Sequence, residues 1–79
     1  MTPTRFRHGP YRFFFYANEG SEPPHVHAAR DENEAKFWLS PVALASSRGF
    51  RAHELTTIQR IVEDNQAYLL EQWHDFYGR

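Results

Sequence analysis

Cysteine is absent from this 79-residue chain. That excludes disulfides and every thiolate metal site, and it suits a reducing compartment. No apolar run approaches the roughly 20 residues that a membrane-spanning helix needs. Residues 1–10 contain Arg5, Arg7 and His8 but no apolar segment of the kind a secretory signal carries. Strong charge of either sign is also missing: 9 Lys and Arg stand against 10 Asp and Glu, a net −1. A uniformly basic nucleic-acid binder is excluded, but a local basic patch is not. Internal repeats and low-complexity segments are absent, and no Ser or Cys nucleophile arrangement is evident. The expectation is a cytoplasmic protein with no membrane contact.

Aromatic side chains are what the chain has in quantity: 7 Phe, 4 Tyr and 2 Trp. Each large aromatic buries up to about 150–250 Å², so a few of them close the single small core that this length allows. Charge is uneven along the chain. The first 50 residues hold six cations and five acids, and the remainder three and five. Ordinary surface balance accounts for that difference.

Residues 1–10 read as a flexible lead-in ending in the turn signal Gly9-Pro10. Tyr11 to Tyr16 reads as an aromatic strand with Tyr11, Phe13 and Phe15 on the core face. Asn18 to Pro24 is a polar loop. His25 to Arg30 follows as a second strand, with Val26 and Ala28 inward. The acidic turn at residues 31–33 predicts a hairpin to a third strand, Glu34 to Leu39. There Ala35, Phe37 and Leu39 alternate with Glu34, Lys36 and Trp38. Val42 to Ala45, after Ser40-Pro41, is a short fourth strand at an edge, and residues 46–49 form a turn. The second half, residues 51–77, predicts one long helix. Its apolar stripe is Leu55, Ile58, Val62, Leu69, Trp73 and Phe76. Asn65 interrupts that stripe, either at its edge bonded to backbone or as a buried polar contact. Trp73 belongs to the core. The fold class is therefore α+β: a small antiparallel sheet of three to four strands, residues 11–45, with a C-terminal helix on one face.

Chemistry concentrates in Glu22-Pro23-Pro24-His25-Val26-His27. The prolines stiffen the approach. Strand residues two apart share a face about 6–7 Å from one another, so His25 and His27 stand side by side.

The Tyr11–Tyr16 strand, Pro-Pro-His-Val-His, Glu34-Ala-Lys-Phe-Trp-Leu39, Gly49-Phe50, and a helix with Glu54-Leu55 and Leu69-Leu-Glu-Gln-Trp73 come in a distinctive order. That order resembles the bacterial domain-of-unknown-function 4160 family over nearly the whole chain from Tyr11. Relatives tend to have Ser at the helix cap, where this chain has Arg51. Members are often encoded beside another small protein, so the resemblance implies a two-protein module of toxin–antitoxin type. It carries over no catalytic residues.

Four readings of the histidine pair are open. As metal ligands for zinc or another divalent ion, His25 and His27 need a third donor. Glu22 is nearest in sequence, and Glu34 lies across the hairpin on the same face. His53 and His74 lie on the helix side, and His8 reaches the site only by swinging in from the N-terminus. As catalytic groups, His25 and His27 serve as general acid and base, with Arg12 or Lys36 holding a phosphate, and the protein is a small ribonuclease or metal-dependent hydrolase. As part of a binding face with Arg12, Phe14, Lys36 and Trp38, they contact a small protein partner, a second copy in a homodimer, or RNA or DNA. As a clasp, an imidazole donates to a loop carbonyl and holds the Pro-Pro turn. The leading expectation for function is a binding component of the two-protein module.

Overall fold

A computed structural model of the protein describes residues 4–78. Five strands form one antiparallel sheet in sequence order: β1 (Phe6–His8), β2 (Tyr11–Phe14), β3 (His25–Arg30), β4 (Asn33–Leu39) and β5 (Val42–Arg48). Two helices follow, α1 (Ala52–Asp64) and α2 (Gln66–Tyr77). The α+β class is as expected, but the sheet has five strands and the helical half is divided. None of the helices among the described residues is long and apolar enough to cross a membrane.

Each departure has a local cause. Residues 6–8 are paired strand within the expected lead-in, with Phe6 opposite Phe13. Gly9, at φ +57°, supplies the left-handed turn that folds β1 back on β2. β5 runs on through Ser46, Ser47 and Arg48, which pair with Lys36, Ala35 and Glu34. A register shift between Lys36 and Phe37 leaves Ala45 as the extra residue. An edge strand facing water does not need apolar residues, so Ser-Ser-Arg read as a turn. Asn65 breaks the helix: its Nδ2 donates to the Ile61 carbonyl at 2.7 Å, and its backbone leaves helical geometry at φ −119°, ψ 18°.

The core lies between the sheet and the helices. β4 delivers Ala35, Phe37 and Leu39 to it, β3 Val26 and Ala28, and β2 Tyr11 and Phe13. The helices answer with Ile58, Ile61, Val62, Leu69 and Trp73. Arg51 stands at the N-cap of α1 in extended geometry and makes no side-chain cap. Instead Glu54, in the first turn, is tied to the sheet. Arg30 donates from Nε to Oε2 at 2.8 Å and from Nη2 to Oε1 at 2.9 Å, and the Tyr11 hydroxyl donates to Oε2 at 2.8 Å. The paired fork orients the helix, and the carboxylate suits the positive end of its dipole.

Candidate functional site

β3 is buried on both faces, and the connection from β2 to β3 is the reason. Phe15 turns into the core and meets Trp73 edge-on at 5.6 Å. At the end of α2 the Tyr77 hydroxyl donates to the Tyr16 carbonyl. Gly20 lies against the same ring: a Cβ there would sit 2.6 Å from Tyr77 Cδ1. Held in this way, the loop lays Tyr16, Glu19 and Glu22 over the sheet face away from the main core. His25 is consequently 0% exposed and His27 6%.

Both imidazoles converge on one oxygen. His25 Nε2 and His27 Nε2 each lie 2.7 Å from Glu19 Oε1. The outer nitrogen of His25, Nδ1, donates to the Pro23 carbonyl at 2.9 Å. This is the clasp: the rigid Pro-Pro approach presents a carbonyl, and the next residue's ring holds it. The outer nitrogen of His27 makes no hydrogen bond, although Glu34 Oε2 is 3.3 Å away. Tyr16 orders that carboxylate, donating to its two oxygens at 3.1 and 3.0 Å. The Tyr16 ring stands edge-on to His27 at 4.5 Å, and Phe14 stacks on His27 at 5.6 Å. Trp73 packs against His25 at 4.8 Å. Burial by itself would raise the Glu19 carboxyl, but the bonds to His25 and His27 outweigh it and hold Glu19 below the usual carboxylate range.

The structure redistributes the residues expected from the sequence. His25 and His27 are together, side by side on β3. Glu22 is 3.9 Å from His25 Nδ1 and accepts from Lys36 Nζ at 2.6 Å, so it faces the outer nitrogen. Glu34 reaches only the outer nitrogen of His27. The carboxylate at the point of convergence is Glu19, which sequence reading passed over in favour of nearer neighbours. Glu19, His25 and His27 each offer a donor atom, all within 4.8 Å of one another. His8, His53 and His74 are exposed and outside this group.

Of the binding face expected from the sequence, Phe14 is buried, and Arg12, Lys36 and Trp38 are half-buried. Phe14 is 3% exposed, beneath Arg12, whose guanidinium lies 5.0 Å over its ring. Trp38 is half-buried, with Lys36 Nζ 4.7 Å over its ring. Openness lies instead towards β5. A shallow cleft of about 150 Å³ is bordered by His27, Glu34, Lys36, Ser46 and Arg48. β5 itself is the sheet's exposed edge: residues 44–48 are all exposed, and Leu44 is 42% exposed. Arg48 makes no salt bridge among the described residues, unlike Arg30 and Lys36.

The family model described as Domain of unknown function (DUF4160) matches residues 11–74. The match takes in β2 to β5, both histidines, Glu19 and most of the helical half. No significant match is found among curated proteins or among solved structures. The chain belongs to the domain-of-unknown-function 4160 family.

Proposed function

We propose that this family member is the binding component of a bacterial, cytoplasmic two-protein module of toxin–antitoxin type, and that it binds by accepting a strand of its small partner along β5. The observation that carries this reading is the unpaired edge. β5 offers seven residues, about 23 Å at 3.3 Å per residue, with a row of backbone groups that no strand among the described residues covers. Edge strands are ordinarily blunted by lysines, inward charges, bulges or a covering element. β5 has the bulge at Ala45 but no lysine, and its sequence, Val-Ala-Leu-Ala-Ser-Ser-Arg, has small side chains that admit a neighbour. Strand addition takes affinity from the main chain and specificity from alternate side chains. The partner strand would set an apolar residue against Leu44 and an acid against Arg48. A second copy pairing antiparallel about Ala45 puts Val42 opposite Arg48 and Ser46 opposite Leu44, which serves neither side chain. This favours a different protein over a homodimer.

The second reading, a small ribonuclease or metal-dependent hydrolase, draws on the cleft beside His27 with its Lys36 and Arg48 cations. Burial of His25 weighs against a metal-free acid–base pair, since both rings must reach the substrate.

The test is co-expression with a candidate small partner, sought among the genes flanking this one as the family resemblance implies. The two should purify as a one-to-one complex. Leu44→Lys installs an edge lysine at an exposed position, so it should leave stability within about 0.5 kcal/mol and abolish the complex. A complex untouched by Leu44→Lys, or a chain that alone is a dimer through β5 in light scattering, would overturn the reading.

A further inference from the structure

Donors and acceptors at the buried centre do not balance when both imidazoles are neutral. A neutral imidazole carries one N–H and one lone pair. The proton of His25 is claimed at Nδ1 by the Pro23 carbonyl, 2.9 Å away. A carbonyl cannot donate, so the tautomer is fixed and Nε2 is left with its lone pair. That lone pair points at Glu19 Oε1, itself an acceptor, from 2.7 Å. His27 is not fixed in this way: its Nδ1 makes no hydrogen bond, with Glu34 Oε2 3.3 Å away, and its Nε2 lies 2.7 Å from the same Glu19 oxygen. Two ring nitrogens and a carboxylate oxygen thus converge within 4.8 Å of one another, and at His25 the contact sets acceptor against acceptor. A proton added to His25 would reconcile it only with the desolvation and crowding costs of an imidazolium in a wholly enclosed ring, whose centroid is 5.3 Å from that of His27.

One divalent cation satisfies the same groups without those costs. We infer that Glu19, His25 and His27 form a binding site for a zinc-class divalent transition metal, with the Nε2 of each histidine and a Glu19 carboxylate oxygen as ligands. Two imidazoles and a carboxylate are a borderline donor set suited to zinc, cobalt and ferrous iron rather than to magnesium or calcium. Ligating histidines ordinarily donate their second ring nitrogen to a carbonyl or a carboxylate. His25 Nδ1 already does so to the Pro23 carbonyl at 2.9 Å, and Glu34, held by Tyr16, is the carboxylate nearest His27 Nδ1, 3.3 Å away. Metal at this point would also staple the β2–β3 loop to β3, since Glu19 comes from the loop and both histidines from the strand. The site goes beyond the partner-strand reading and is independent of it, as β5 contributes no ligand.

The experiment uses the untagged full chain, stripped with chelator and titrated with Zn²⁺ and Co²⁺. One equivalent should bind saturably. The Co²⁺ form should show the visible bands of a low-coordinate nitrogen–oxygen site, and Zn²⁺ should raise the thermal midpoint. Long-range ¹⁵N–¹H spectra should show Nδ1 protonated and Nε2 metal-bound in both His25 and His27. Glu19→Gln should lose the site. Glu34→Gln, which touches no metal, should weaken affinity about 10–100-fold, as loss of an outer partner does. Glu63→Gln, exposed on α1 and away from the site, should leave affinity within twofold. Should Glu19→Gln fail to fold, Glu34→Gln against Glu63→Gln still decides, with equal metal-free folding of the two checked by dichroism. No saturable equivalent, a metal held by His8, His53 or His74, or metal-free spectra showing His25 and His27 both doubly protonated would overturn the inference.

Discussion

Gly20→Ala should destabilise the protein, although nothing polar is lost at that position. The new Cβ would fall 2.6, 3.1 and 3.2 Å from Tyr77 Cδ1, Cγ and Cε1. The ring cannot simply step aside, since it packs on Trp73 at 4.2 Å and Phe76 at 4.8 Å, and its hydroxyl donates to the Tyr16 carbonyl. Overpacking of this kind costs about 1–3 kcal/mol, and a disturbed hydrogen bond about 0.5–1.5 kcal/mol. Against these stands a gain of about 0.4–1 kcal/mol from a less flexible unfolded chain, because Gly20 does not occupy the left-handed region. The net is a loss of about 0.5–4 kcal/mol, centred near 2 kcal/mol. At about 4–8 °C per kcal/mol for a domain of this size, the central value lowers the thermal midpoint by roughly 8–16 °C. Urea unfolding followed by far- and near-ultraviolet dichroism measures it. The same substitution in a Tyr77→Ala background meets no ring, so its sign should reverse to a gain of about 0.4–1 kcal/mol. If Gly20→Ala is stabilising in the parent chain, or its effect is unchanged without the Tyr77 ring, the loop is not held by α2 as described.

Two further perturbations probe the rest of the frame. Arg30 first, then Tyr11, hold the Glu54 carboxyl below its ordinary value. Its stabilisation is therefore fully present above the unfolded value of about 4.3 and is lost as pH falls through the lower folded value. In urea titrations from pH 7 to pH 3, Glu54→Gln should lie below the parent at neutral pH and converge on it in acid; a constant gap would show that the charge is not what matters. Phe37→Ala empties a fully buried position at the centre of β4. It should cost about 3–5 kcal/mol, measured by chemical denaturation, and a loss below 1 kcal/mol would contradict the placement of the core.

Much of the frame is legible in the sequence because it rests on local periodicity. Alternation in Glu34 to Leu39 places three side chains in the core, and the stripe from Leu55 to Trp73 places the helical face. The clasp is legible too, since Pro-Pro-His restricts where a carbonyl and an imidazole can meet. What escapes the sequence depends on contacts between distant segments. A three-residue strand such as Phe6–His8 has no period to detect, and it exists because Tyr11–Phe14 offers an edge. Ser46 to Arg48 are polar because β5 faces water, so they read as a turn. Phe14, His25 and His27 alternate as an outer face should, and they are buried only because the loop folds over them. Glu19 reaches the histidines through that same fold-back, which is set by Tyr77, 58 positions away in a chain of 79. Asn65 stood out on the apolar stripe, and its backbone bond is what divides the helix.

The measurement closest to the central claim is hydrogen exchange of the backbone amides with and without a partner isolated by the co-expression proposed above. Free, the unpaired amides of Val42 to Arg48 should exchange fast, as those of an exposed edge do. In the complex they should become protected in alternation along β5, while β1 at the opposite edge stays unchanged. Protection confined to β1, to the helices or to the cleft, with β5 still exchanging freely, would contradict partner binding by strand addition.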